Sequence, residues 1–292
     1  MGQAATIGRN VQDRESLKTV EDGWQCDCFY SGDKSSLFLR EKRTTYPMRI
    51  FLIAVIVLAA IFAAAFYRMQ SMGDAASWEP AIRKFEEGDR LAPPKPGVIV
   101  FTGSSSIRFW DTLSDDMKPL DVLNRGFGGS QIAQVNYFAP RIVIPYKPKA
   151  VVLYCGDNDL AWPASKSPET VFADFKEFVR IVHGALPDTW IYFISIKPST
   201  LRWKMWPKMQ QVNGMIEEFA RTQQRVQFID VSSAMLDSTG QPKRDLLKWD
   251  GLHPTPKCYQ LWTSIIKPVL MQRFGPSAEM VQPAAAGGGS QN

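Results

Sequence analysis

From Ile50 to Tyr67 the chain runs for 18 residues without a charge, a glycine or a proline, bounded by Arg49 and Arg68. At about 1.5 Å per residue a helix of that length covers most of a bilayer's hydrocarbon core, and it lacks the polar face of a soluble helix. From Val98 onward the pattern changes. Short β-rich runs, Val98 to Thr102, Val122 to Arg125, Ala150 to Tyr154, Trp190 to Ile196 and Val226 to Val231, alternate with longer amphipathic ones. The short runs are nearly continuous in apolar residues, as parallel strands covered on both faces should be. The amphipathic stretches Gln131 to Val143, Pro168 to Ala185, Lys204 to Gln223 and Lys257 to Phe274 predict helices. Ser167 followed by Pro168 gives one of them an N-cap and a first-turn proline. Strands alternating with helices predict a doubly wound α/β domain with ligands at the carboxyl ends of its strands.

The flanks carry less pattern. Residues 1–47 mix charges and small polar residues without a period and read as a disordered tail. Residues 48–69 read as a transmembrane anchor or signal segment. Within 70–97, Trp78 to Arg90 predicts a short helix, and Leu91 to Gly97, with three prolines, a linker. The globular domain then spans 98–275, and 276–292, rich in Ala, Gly and Ser, reads as a second disordered tail.

Charge decides the orientation. Arg40, Lys42, Arg43 and Arg49 precede the apolar run against one acid, Glu41, whereas Arg68, Arg83 and Lys84 follow it against four acids. The positive-inside rule then puts the N-terminus in the cytoplasm and the large domain outside, periplasmic or extracellular. An alternative start at Met48 would make the same run a signal peptide with a cleavage site near Ala63 to Ala65. A retained anchor is favoured because the run is long for a cleaved signal; both readings export the domain. The net charge of +5 comes with no basic stripe interleaved with aromatics, so no nucleic-acid partner is expected. Cys26 and Cys28 lack partners for a metal site. Cys155 and Cys258 sit in apolar runs and are expected to be free buried thiols.

Candidate chemistry starts from scarcity, because the chain has only two histidines, His183 and His253. His183 precedes Gly184 at the end of a predicted helix, where a cation and a glycine cap belong. His253 follows Asp250 by three residues, a spacing that lets the carboxylate receive the ring N–H and fix its tautomer. It is the candidate base. Each of the first three strands ends in something it could serve. Gly103, Ser104, Ser105 and Ser106 offer a hydroxyl at a strand-to-helix turn. Gly126, Phe127, Gly128, Gly129 and Ser130 form a loop whose backbone N–H groups can approach a ligand. Gly156, Asp157, Asn158 and Asp159 offer the Asn158 amide to an oxyanion, although Asn- and Asp-rich turns also form for their own sake.

In this order, each at a strand's carboxyl end, these blocks resemble the SGNH branch of the GDSL esterase family over about Val98 to Phe274. The resemblance implies a flavodoxin-like three-layer α/β/α sandwich with a five-stranded parallel sheet, here preceded by one transmembrane helix. It implies Ser105 as nucleophile, Asp250 and His253 completing the triad, and Ser105, Gly129 and Asn158 as the oxyanion hole. No metal or organic cofactor is required. The family's Gly-Asp-Ser reads Gly103-Ser104-Ser105 here, which leaves Ser104 as the fallback nucleophile. The expected reaction is hydrolysis of an acyl ester, a carbohydrate O-acetyl group or a lipid ester. The alternatives are acyl transfer to an envelope polysaccharide and a non-catalytic tethered binding module. Trp203 and Trp206, among the cations Arg202, Lys204 and Lys208, are candidate substrate contacts, or ordinary helix residues packing on the sheet.

Overall fold

The structure, a computed structural model, describes residues 46–70, 75–161 and 164–276. The expected tails over 1–45 and 277–292, with Cys26 and Cys28, lie outside the described residues. Helix α1 spans Tyr46–Gln70. Its side chains are described from Met48 to Ala63; every one is exposed and all but Arg49 are apolar. Among the described residues no helix is long and apolar enough to cross a membrane.

The globular unit is built on five parallel strands, β1 (Ile99–Gly103), β2 (Val122–Gly126), β3 (Ala150–Tyr154), β4 (Trp190–Ile194) and β5 (Val226–Ile229). They pair in the order β2-β1-β3-β4-β5, the order of the flavodoxin-like sheet that the family resemblance implies. The pleat sends alternate residues to opposite faces. Val100, Val151, Leu153, Ile191 and Phe193 enter one apolar core, and Ile99, Phe101, Val152, Tyr154, Tyr192 and Ile194 enter the other. The first core is closed by α2 (Glu79–Leu91), α3 (Ile132–Ile142), α4 (Pro168–Ala185) and α5 (Trp206–Thr222). The second is closed by α6 (Pro256–Phe274) and the short turns after β1. The predicted cap is in place: Ser167 Oγ accepts the Thr170 N–H at 3.2 Å.

One boundary needs correction. The helix within 70–97 was expected outside the domain that starts at 98, but α2 is part of the core. Ile82 is fully buried, Trp78 nearly so, and both belong to the first core, which also holds Val98, Phe127 and Ile132. The sequence hid this because α2 has one strongly apolar stripe on an otherwise charged helix, the pattern of a helix lying on a surface. Arg125 on β2 reinforces the docking by pairing with Asp89 at the end of α2.

This topology also places the site. The chain leaves β1 toward the second core and leaves β3 toward the first, so a crevice opens between two adjacent strands at their carboxyl ends.

Candidate active site

β1 ends at Gly103, with φ of +126°, where a Cβ would stand 1.9 Å from the Tyr154 carbonyl oxygen. Only glycine lets the strand turn this tightly into the short helical turn Ser105–Arg108. From α6, the Tyr259 hydroxyl pins that turn by donating to the Ser106 carbonyl at 2.9 Å. Ser105 Oγ lies 3.0 Å from His253 Nε2, and His253 Nδ1 lies 2.6 Å from Asp250 Oδ2. The other Asp250 oxygen accepts the N–H groups of Leu252 at 2.9 Å and His253 at 3.0 Å. Burial alone would raise the Asp250 carboxyl, but hydrogen bonds from the imidazole and these two amides reverse the effect and hold it down at about 2. It is therefore a fixed negative charge under the imidazole at neutral pH.

The structure brings Ser105 to the imidazole and not Ser104, whose buried hydroxyl has no hydrogen-bond partner among the described residues. His183 lies elsewhere, with Nε2 3.1 Å from the Thr189 carbonyl oxygen. Phe109 stands edge-on to the His253 ring at 5.1 Å between centroids, with Arg108 and Lys248 over its face.

Around Ser105 the candidate oxyanion donors come from three strand ends. The N–H groups of Ser105 and Gly129 have no partner among the described residues. Gly129 holds φ at +79°, which a glycine takes without cost. Asn158 Nδ2 donates to the Ser130 carbonyl at 3.0 Å, joining the β3 loop to the glycine loop, and retains one N–H. The same loops are tied again below, where Asp159 accepts the Ile132 N–H at 3.1 Å. Burial outweighs its partner Lys166 and pushes the Asp159 carboxyl up to about 6.

Behind Asn158 lies a buried charge cluster. Arg202 Nη2 donates to Asn158 Oδ1 at 2.9 Å, Arg202 Nη1 is 3.1 Å from Asp157 Oδ2, and Lys197 Nζ is 3.8 Å from the same oxygen. Burial would raise the Asp157 carboxyl, but Arg202 and Lys197 pull it below its ordinary value; burial lowers the Lys197 ammonium. Among the described residues no group of three His, Cys, Asp or Glu could hold a metal ion. A shallow cavity of about 630 Å³, lined by Lys149, Trp190, Arg225 and Arg273 among others, lies at the strands' amino ends, away from Ser105.

Of the two readings of Trp203 and Trp206, packing on the sheet is the one that the burial of Trp206 supports. Trp206 is buried in the first core, and Trp203 is half-buried with its ring stacked on Trp206 at 6.0 Å. Their spacing serves packing at the start of α5, and the residue of that segment that reaches the site is Arg202. Sequence reasoning gave Arg202 no role beyond its charge, treated Trp78 as a helix end, and passed over Phe109. None sits in a motif; only their contacts reveal them. Cys155 and Cys258 are both buried and free.

Comparison with known proteins adds the family. No curated protein matches the sequence at a significant level. Solved structures do. A protein from Streptococcus pneumonia, described provisionally as a platelet activating factor, superposes with a TM-score of 0.60 at 19% identity, covering 74% of this chain and 99% of its own. A GDSL-like lipase from Bacteroides thetaiotaomicron gives 0.58 at 20% identity over 65% and 97%. A protein from Bacteroides fragilis, described provisionally as an acylhydrolase, gives 0.56 at 23% identity over 63% and 93%. At such identities these likenesses establish the fold. The model of the GDSL-like lipase/acylhydrolase family matches residues 95–261, more than half of the sequence and all of its carboxyl-end loops. The chain therefore belongs to the GDSL-like lipase/acylhydrolase family and is an ester-bond hydrolase.

Proposed function

We propose that the protein is a membrane-tethered serine esterase that cleaves acyl esters through Ser105, His253 and Asp250. The observation that carries this reading is the unbroken relay from Asp250 to His253 at 2.6 Å and from His253 to Ser105 at 3.0 Å. In the first step His253 Nε2 takes the Ser105 proton as Oγ attacks the ester carbonyl. The resulting oxyanion is held by the N–H groups of Ser105 and Gly129 and by the Asn158 amide. Collapse expels the alcohol, which receives the proton from His253 and leaves an acyl-serine. Water then attacks with the same base, releasing the acid and restoring Ser105. Asp250, kept ionised, holds the imidazole in the tautomer that accepts at Nε2 and stabilises the imidazolium between the two transfers.

The alcohol is an envelope carbohydrate or lipid on this reading, because the uncharged run from Ile50 to Tyr67, whose described side chains are exposed, supports a tether that would hold the domain outside the cytoplasmic membrane. The test is p-nitrophenol release from acetyl, butyryl and octanoyl esters by the full chain in detergent. Ser105→Ala is expected to abolish turnover and Ser104→Ala to preserve it; the reverse result, or no turnover on any ester, sinks the reading. Alkaline carbonate extraction of membranes tests the tether. Release of the full chain into the supernatant would refute it.

A further inference from the structure

We propose that Trp78 and Arg202 are positioning residues for the oxyanion hole, each aiming one donor by binding the acceptor at that donor's far end. The inference rests on the assignment of Gly129 and Asn158 as oxyanion donors made above.

Gly129 presents its N–H through the peptide unit it shares with Gly128. That unit is trans and planar, so the Gly128 carbonyl and the Gly129 N–H point in opposite directions. Whatever fixes the carbonyl fixes the donor. Neither residue has a side chain to restrain the unit, and glycine backbone is the most mobile available. Among the described residues the carbonyl is held by one external bond, from the Trp78 indole N–H at 2.8 Å. The indole is itself immobile: it is nearly buried, packs edge-on against Phe127 at 6.2 Å between centroids, and precedes α2, whose Ile82 is fully enclosed. A residue 50 positions before Gly128 thus aims the Gly129 N–H.

Asn158 presents a second kind of ambiguity. Its amide can turn end for end about χ2 at little cost, and only one orientation offers an N–H to the oxyanion. Arg202 resolves this, because a guanidinium has donors and no acceptor and can face only Oδ1. Its bond to Oδ1 at 2.9 Å, together with the Nδ2 bond to Ser130, fixes the amide at both ends. The same bond polarises the amide and strengthens the remaining N–H as a donor. Arg202 is anchored by Asp157 and by its loop, where the Leu201 N–H donates to the Gly251 carbonyl at 3.0 Å beside Asp250.

The experiment is a set of mutant cycles on the full chain with a p-nitrophenyl ester, reading kcat, KM, thermal stability and the inhibition constant of an alkyl boronic acid, which becomes a tetrahedral adduct on Ser105. Trp78→Phe and Arg202→Met are each expected to lower kcat by about tenfold, a fraction of the loss from deleting a donor outright. KM should stay within about twofold, and boronate affinity should fall in step with kcat. In an Asn158→Ala background Arg202→Met should cost nothing further, whereas Trp78→Phe should still cost its full factor, since it acts through the other donor. β-(3-benzothienyl)alanine at position 78 keeps the indole shape, removes only the N–H, and should reproduce the Trp78→Phe loss. Independent multiplication of Arg202→Met with Asn158→Ala, or lost thermal stability without a change in kcat or boronate affinity, overturns the proposal. Ser105→Ala in the same set separates it from the reading beneath: turnover surviving there removes the serine mechanism, and this proposal with it.

Discussion

The two halves of the site are held by different means. On the triad side, Asp250 and His253 are three residues apart and one loop closes on itself, with the Asp250 carboxylate taking the ring and the backbone N–H of the same histidine. On the oxyanion side, each contact spans a large part of the chain: Trp78 to Gly128, Ser130 to Asn158, Asn158 to Arg202. The Asp250–His253 pair is encoded locally and acts as one relay once Ser105, from the end of β1, is brought against it. The oxyanion arrangement exists only when α2, the sheet and the loop after β4 have all assembled. The triad should therefore fail as a unit, and the oxyanion hole in increments.

The sharpest break comes from Asp250→Asn. An amide there can offer its NH₂ to Nδ1 and force the wrong tautomer, so turnover is expected to fall by about 10³ to 10⁴ with the fold intact. Combining it with Ser105→Ala should cost nothing beyond Ser105→Ala alone, because the two act in one relay. Steady-state rates and a far-UV spectrum check both; a variant that keeps more than about a tenth of its activity would remove Asp250 from the relay.

Asn158→Ala probes the other half, with an expected loss of about 10² to 10³ in kcat and little change in KM. The Ser130 carbonyl loses its amide partner but keeps the Cys155 thiol at 3.2 Å, so the loop stays tied. A loss confined to KM would place Asn158 in substrate binding and out of the oxyanion hole.

The same contrast explains what the sequence could and could not disclose. The five strands were legible because each is a short apolar run, and apolar pattern is what a sheet buried on both faces demands. Asp250 and His253 were legible because a three-residue spacing is a geometry in itself. Ser105 was legible only beside Ser104 until the Ser105–His253 contact was seen, since one step along the strand end separates a fully buried hydroxyl from a part-buried one that reaches the imidazole. Trp78 and Arg202 were not legible. Their partners lie 50 and 44 residues away, and nothing in a tryptophan before a charged helix, or in an arginine beside two tryptophans, states which carbonyl it will meet. Trp206 stayed open between two readings for a related reason, because an aromatic near a strand's carboxyl end serves core and ligand equally well until its burial is known.

The smallest expected effect concerns two carboxylates that the halves treat oppositely. Asp250 is held down at about 2 by its hydrogen bonds, so the stability it adds is present above about pH 4 and is lost as pH falls toward 2. Asp159 is pushed up to about 6 by burial, so between about pH 4 and 6 the folded protein keeps a proton that the unfolded chain has released. Stability must then fall as pH rises through that window and level off above it. Asp159→Asn removes the titration while keeping an oxygen for the Ile132 N–H. Measured by urea unfolding at fixed pH values, wild type should lose on the order of 1 to 3 kcal/mol relative to the variant between pH 4 and 6.5, with no further divergence above. A constant difference across the window would mean that the Lys166 ion pair offsets burial completely, and that the tie beneath the oxyanion hole is an ordinary salt bridge.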